Sequence, residues 1–354
     1  MPTFPGSSGD LSEPLAAQVR AASASRTPLR IQGGGTHVFF GRNVVGQTVD
    51  MTGHTGIIDY DPSEMVITAR AGTPVAEIEA LLDAQNQMLA FEPPSFGSTG
   101  TLGGAVATGL SGPRRPFTGA LRDYVLGARI LDGRGNILRF GGTVFKNVAG
   151  FDAFRLMAGA QGCLGVILDL SLRVVPKPRS QVALVYEMPG STAQTWVTSL
   201  MRRPLPLSAA FHDGARLHLR LSGGDAAVEV TARELGGDAE PLEVWRAIGN
   251  VTYPNLAEAP ILWRIALSQS ATPPELSAAP WDWGGGVRWL AADQIDPGLW
   301  ALASRYQGHA TVWRGAAEQV FQPLAPPIFQ LHQRIKAAMD PAGIFNPGRM
   351  YEGL

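Results

Sequence analysis

The residues of this chain best suited to chemistry are glycines set among strand-forming residues, with threonine and histidine beside them. IQGGGTH at 31–37 runs a short apolar stretch into three consecutive glycines. Successive N–H groups in such a turn can form a concavity for phosphate oxygens, here from Gly33, Gly34, Gly35, Thr36 and His37. An ordinary tight turn is the competing reading of the same five residues. Two further glycine sets, TGTLGGAVATGLSG at 99–112 and GAQGCLGVIL at 159–168, lie among Val, Leu and Ile rather than in linker-like sequence. Glycine in that context marks positive φ, or close approach of the backbone to something flat, bulky or anionic. The stretch from Gly97 to Val175 therefore predicts a large phosphate-bearing ligand lying along it.

Other chemistries lack their residues. Neither GGGTHVFF nor GAQGCLG has the spacing of a nicotinamide-dinucleotide fingerprint, and the P-loop, HExxH and GxSxG patterns are missing. His212 and His218 are the only close histidine pair. They lie on a predicted hairpin, where their even separation leaves open whether they share a face, and two histidines without a third ligand do not make a zinc site. Cys163 is the only cysteine, so the chain offers no disulfide and no iron–sulfur cluster. A net charge of −1 without a basic run argues against nucleic acid and anionic membrane surfaces as main partners. No apolar run has the length of a membrane span, and MPTFPGSSGDLSEPL has neither the charged start nor the apolar core of a secretory signal. Cytoplasmic location is the default expectation.

The elements that must position the glycines follow from periodicity. With 354 residues and a 45% hydrophobic fraction, the chain is expected to form two domains. Residues 11–24 read as a helix capped by Ser12, with Leu15, Val19 and Ala22 inward. Residues 65–71 read as a strand, followed by a helix with Thr73 as cap and Pro74 in its first position. Residues 124–131 and 137–140 form a hairpin about Asp132-Gly133, and Asp152 caps a short helix to Ala160. Over 166–174 the alternation directs Val166, Leu168, Leu170, Leu172 and Val174 to the core and Asp169, Ser171 and Arg173 outward. Beyond Arg179, strands at 181–187, 207–212, 215–221, 261–267, 286–290 and 309–314 alternate with helices at 191–202, 225–235 and 293–305. A helix from Pro326 stops at Asp340-Pro341, before an ordered tail.

In order along the chain, IQGGGT (31–36), TLGGAVATG (101–109), LRDYVLGARILDGRGNILRFGG (121–142), GAQGCLGVILDLSLRVVP (159–176) and DPAGIFNPGRM (340–350) resemble the pattern of the vanillyl-alcohol oxidase/p-cresol methylhydroxylase superfamily of FAD-binding enzymes. YDPSEMVITARAGTP (60–74), SGPRRPFTGALRDYVLG (111–127), GGTVFKNVAGFD (141–152), WDWGGGVRWL (281–290) and IFNPGRMY (344–351) extend the likeness over most of the chain, to flavoprotein subunits of bacterial glycolate oxidases. The resemblance implies an α+β fold. A two-lobed p-cresol methylhydroxylase-type FAD-binding domain is expected over 1–178, a smaller α+β cap over 179–325, and a C-terminal helix and tail, 326–354, returning to the FAD domain. It implies that Gly33, Gly34, Gly35, Thr36 and His37 hold the FAD diphosphate. Thr101, Gly103, Gly104, Ala107 and Thr108 would lie along the diphosphate and ribityl chain, and Gly162, Gly165 and Val166 would pack on the cofactor. Pro94 and Asn346 join the cofactor set. Gln161 and Cys163 stand where the pattern has an acidic residue and a threonine. Arg114 and Arg115 read either as phosphate partners or as a solvated pair. Some members bind flavin covalently through a histidine near the first glycine loop, but the GGH spacing for that link is absent, so noncovalent FAD is expected and His37 reads as a loop residue.

The histidine-rich metal segment of related 2-hydroxy-acid dehydrogenases, HxHxGDGNxH, is absent from the second domain. The expected activity is therefore that of a glycolate oxidase subunit, working with an iron–sulfur subunit and a second FAD subunit on glycolate, a small 2-hydroxy acid. Location in the cytoplasm, or at the inner face of the membrane through the complex, goes with it. The alternatives are a self-sufficient FAD-dependent 2-hydroxy-acid dehydrogenase and a noncatalytic electron relay. Arg264, Arg288 and His309 are the catalytic candidates: an arginine to clamp a carboxylate, a histidine to accept a hydroxyl proton. Each also has a structural reading, as a partner of a carboxylate or of a turn. The tryptophan-rich 281–289 region reads as partner-covered surface or as core.

Overall fold

A computed structural model describes residues 9–142 and 152–354. Most of GGTVFKNVAGFD lies outside the described residues. Two compact units emerge: one of Met1–Leu110, Ala120–Pro176 and Pro323–Leu354, the other of Ser111–Gly119 and Lys177–Gln322.

The first unit is built on a five-stranded antiparallel sheet, in the order Ile57–Asp61, Val66–Arg70, Val166–Arg173, Val125–Leu131, Ile137–Gly141. Beside it, Leu29–Gln32 pairs in parallel with Gln47–Asp50. Val166–Arg173 is the central strand and departs from the expected alternation. Val166, Leu168, Leu170 and Leu172 do enter the core, but Asp169 and Ser171 are also buried. The second face is covered too: Asp169 is paired with Arg129 and faces His54, while the Ser171 hydroxyl meets that of Thr68 at 2.9 Å. A central strand has no solvent side, so its polar residues need partners.

Three expected caps are corrected. Ser12 opens its helix as a first-turn residue, and Asp10 accepts its N–H at 2.9 Å. Pro74, in extended conformation, is the cap of Val75–Asp83, while the Thr73 hydroxyl bonds Gly56. The turn after Asp152 is a 3-10 helix ending at Met157, with no side-chain cap. The helix Pro326–Met339 returns the chain to this unit. From its last turn the buried Lys336 ammonium donates to the carbonyls of Cys163 (2.8 Å) and Phe345 (2.6 Å) and to Asp340 Oδ2 (2.8 Å). Asp340 in turn accepts the N–H groups of Ile344 and Phe345.

The second unit is an eight-stranded antiparallel sheet in the order Asp238–Glu240, Ser180–Glu187, Arg216–Gly223, Leu207–His212, Trp281–Asp282, Val287–Ala292, Ile261–Ala266, His309–Arg314. Gly190–Leu200 and Asp225–Leu235 pack on one half of it, and Gly298–Arg305 on the other. The last helix starts five residues later than its apolar pattern suggests. Pro297 is its cap, and the residue before a proline is turned away from helix. Ser111–Gly119 clusters here and not with the glycine-rich unit: the buried Arg114 reaches Ser222 and Gln181, and Phe117 packs into the apolar cluster. Arg114 is thereby a buried residue of the second unit and not part of a solvated edge.

Candidate functional site

The three glycine sets of the first unit converge on one groove. Gly33, Gly34, Gly35, Thr36 and His37 line it, as do Thr101, Gly103, Gly104, Ala107, Thr108, Gly162, Gly165 and Asn346. Pro94 is outside the lining. So is Val166, which points into the core, while the next residue, Ile167, faces the groove. Strand alternation from Val166 would have found Ile167. Met51, Ala71, Asn43, Val44 and Arg349 also line the groove and carry no signal in the sequence alone.

The glycines are required for two different reasons. A Cβ on Gly34 would fall 1.6 Å from the carbonyl oxygen of Thr99, and one on Gly103 would fall 2.7 Å from Ala71 Cβ. These glycines let the protein pack on itself. Gly104 differs, since a Cβ there would meet only its own helix cap, Thr101 Oγ1, at 3.2 Å, and the space beyond belongs to the groove. Along the first loop, the N–H groups of Gly34, Gly35 and Thr36 meet no acceptor among the described residues. Consecutive unpaired donors at the edge of a groove suit an anion with several oxygens.

The C-terminal tail closes the groove. Asn346, at φ 38°, accepts the N–H of Ile31 (2.8 Å) and donates to the carbonyl of Gln161 (2.6 Å). Both ends of its amide hold protein, so it positions the first strand against the 161–162 turn. Arg349 donates to the carbonyls of His37, Val38, Phe40 and Arg42 and to Gln161 Oε1. Burial lowers its pKa. One guanidinium thus holds the whole 37–42 loop. Arg349→Ala is expected to lower stability by about 1.5–3 kcal/mol, the scale of hydrogen bonds to a charged group, and to weaken flavin retention at least about tenfold. Denaturant titration and flavin release on dilution measure the two, and unchanged retention would show that the loop keeps its shape unaided.

His37 has its Nδ1 on Thr36 Oγ1 at 2.9 Å, and burial pushes its pKa down to about 4, so the ring is neutral. Cys163 is buried, with its thiol pushed up to about 11, and lacks thiolate reactivity. His212 and His218 fall on opposite faces of their hairpin, because His218 pairs with Phe211 and His212 with Leu217. Among the described residues no group of three His, Cys, Asp or Glu is placed to hold a metal ion.

The catalytic candidates lie in the second unit, and the structure separates them. Arg264 and His309 share a sheet face: Arg264 stands opposite Thr311, and Ala266, two residues on, stands opposite His309. Arg288 stands opposite Ile265, on the other face. It is buried, donating to the Gly285 carbonyl (3.0 Å) and to Gln194 Oε1 (2.7 Å). Arg288 is therefore a support of the 283–285 turn and not a clamp. Trp263, Trp281, Trp289 and Trp313 are buried in the unit, so core packing accounts for them.

A family described as FAD binding domain matches residues 11–141. The glycolate oxidase subunit GlcE of Escherichia coli (strain K12) is 44% identical over 346 residues, covering 98% of this chain and 99% of that protein. This chain belongs to the GlcE family of glycolate oxidase subunits. It is thereby a flavin-dependent oxidoreductase chain with an FAD-binding domain. The glycolate oxidase subunit GlcD of Bacillus subtilis (strain 168) is 30% identical over 196 residues, which is 54% of this chain but 41% of that protein. Among solved structures, alkyldihydroxyacetonephosphate synthase superposes with a TM-score of 0.67 at 16% identity, covering 96% of this chain and 74% of that one. The α+β fold expected from the superfamily motifs is thus the fold found.

Proposed function

We propose that this chain is the FAD-carrying subunit of a multi-subunit glycolate oxidase. It takes part in the two-electron oxidation of glycolate to glyoxylate and passes the electrons to an iron–sulfur subunit, beside a second FAD subunit. The first unit is the FAD-binding part, and the second is the cap. The observation that carries the reading is the groove, in which the unpaired amides of Gly34, Gly35 and Thr36 meet the open wall at Gly104 in a chain of this family. When bound, FAD supplies the electron acceptor. The protein supplies donors for its diphosphate and a walled slot for its extended body. With one cysteine, the chain has too few thiolates for a cluster of its own, and in this reading the electrons leave to a cluster held by another subunit. No helix among the described residues is long and apolar enough to cross a membrane.

The flavin is held noncovalently in this reading. His37 is engaged with Thr36, and the loop geometry asks for no bond to the ring. Acid precipitation of the purified yellow protein should release all flavin into the supernatant. Flavin that stays with the pellet would establish a covalent link. The function itself is tested by copurification from the native host followed by assay. Glycolate-dependent reduction of an artificial acceptor by the complex is expected, and a lone chain with full activity toward its physiological acceptor would refute the subunit reading.

A further inference from the structure

We propose that His218 is a proton-operated clamp in the second unit. While both of its ring nitrogens carry hydrogen, it pins the edge strand Asp238–Glu240 and the chain around Tyr253 to the 213–216 turn. When one hydrogen is lost, that stretch loosens. The proposal does not depend on the glycolate oxidase reading.

The ring is buried between two carboxylates. His218 is 1% exposed and lies on strand Arg216–Gly223, separated from the edge strand by Ser180–Glu187. Its Nδ1 stands 2.9 Å from both carboxylate oxygens of Glu240, so that side chain reaches back across the intervening strand. On the other side, Nε2 stands 3.4 Å from Asp213 Oδ2 and 3.3 Å from the Tyr253 hydroxyl. A carboxylate offers only acceptors, so each nitrogen that faces one needs a hydrogen, and only the imidazolium has two. Tyr253 does not make up the difference freely. Its hydroxyl accepts from Arg216 at 3.1 Å and donates to Asp213 Oδ2 at 2.9 Å. If Nε2 loses its hydrogen, either a lone pair faces Asp213 or Tyr253 gives up that bond to supply Nε2. If Nδ1 loses its hydrogen, the bridge to Glu240 is cut.

The groups facing the ring come from every element around it: Glu240 from the edge strand, Asp213 and Arg216 from the turn, and Tyr253 from the chain before Pro254–Ala257. Asp238 shares the row of His218 across the sheet, Arg220 shares the row of Glu240, and His212 lies on the opposite face of the hairpin. Burial alone lowers the pKa of the ring, but the hydrogen bonds to Asp213 and Glu240 outweigh it and raise the pKa above its ordinary 6.5. Burial works the other way on Asp213, yet His218 and the N–H groups of Arg216 and Ala215 hold that carboxyl well below its usual range. A raised folded pKa gives stability that is complete below pH 6.5 and is lost as pH rises through the folded value. The clamp grips both ends of one excursion of the chain. Glu240 opens it, and Tyr253 and Asn255, both bonded to Asp213, close it, with the buried Trp245 and Ile248 between. The backbone of the edge strand adds three residue pairs with Ser180–Glu187, too few to make the side-chain bridge redundant.

Two measurements on the full-length, flavin-loaded chain test the clamp together. Imidazole NMR titration gives the pKa of His218, with His218→Gln identifying its signal. Amide hydrogen exchange between pH 6 and pH 9, corrected for the intrinsic rate, gives the protection of residues 238–255. The titration should fall above 6.5, and protection should drop by about tenfold for each pH unit by which the folded pKa exceeds that value. Strand Ile137–Gly141, an edge of the other sheet, should keep its protection across the range. In His218→Gln, protection of 238–255 should be low at every pH. Should that variant fail to fold, Glu240→Gln serves in its place: it removes one of the two carboxylates, and the pKa of His218 should fall. A ring that titrates at or below 6.5 would overturn the clamp. So would protection of 238–255 that stays constant with pH in the wild type, or that falls with pH equally in His218→Gln.

Discussion

Gly104→Leu yields a folded protein that no longer retains FAD. Gly104 sits in the helix Leu102–Thr108 with a helical backbone, and an added Cβ would contact only Thr101 Oγ1, at 3.2 Å. Leucine is favoured over glycine within helices by up to about 1 kcal/mol, so the fold tolerates the change. The rest of the side chain must then enter the groove, because this residue lines it. Overpacking costs about 1–3 kcal/mol per site, or roughly ten- to a hundredfold in cofactor affinity, and the cost rises where the neighbouring ligand is rigid. Gly34→Ala behaves differently: its Cβ would sit 1.6 Å from the Thr99 carbonyl oxygen, so the loops must part and stability falls together with binding. The ratio of flavin to protein absorbance, set beside the thermal midpoint, separates the two cases. A Gly104→Leu protein with full flavin occupancy would remove this wall from the cofactor site.

Lys336→Met lowers the stability of the first unit by about 3–5 kcal/mol, the usual consequence of removing one member of a buried ion pair. The ammonium satisfies Asp340, which is 1% exposed, together with the carbonyls of Cys163 and Phe345. Methionine fills similar volume but leaves a buried carboxylate without its counter-charge and two carbonyls without a donor. Because these contacts set the tail that carries Asn346 and Arg349, flavin should also dissociate faster. Urea titration of the variant measures the first effect. A change below about 1 kcal/mol would mean that water takes over the lysine's role, as bridging waters can.

Much of this architecture is legible in the sequence, for reasons that also explain the errors. A strand such as Arg216–Gly223 announces itself through the two-residue alternation of RLHLRL, which is local. The IQGGGTH turn is readable as a turn from its three glycines alone, while its ligand-binding role came from the resemblance to the FAD-binding superfamily. What the residues could not convey was which surface each glycine faces. Gly103 and Gly104 are neighbours in one motif, yet one accommodates Ala71 and the other the groove. Register is hidden in the same way: Arg264 and Arg288 both lie on strands, and only the pairing of Arg264 with Trp289 shows that Arg288 faces the opposite side. Val166 and Ile167 exchange roles by the same one-residue logic. Arg349 was invisible because its five partners lie some three hundred or nearly two hundred residues earlier. Asp169 and Ser171 misled because alternation reports polarity, whereas burial depends on the layer that covers the strand.

The crossing of Asn346 and Arg349 back onto residues 31–42 sets an order of events during synthesis. Translation delivers the 33–36 turn early and its clamps more than three hundred residues later. Until that last segment is free to fold back, the slot has no fixed floor and the 37–42 loop has no anchor. A growing chain can pair its sheets before its groove exists, so a slot with a fixed floor forms only once residues 346–349 have joined the 31–42 segment.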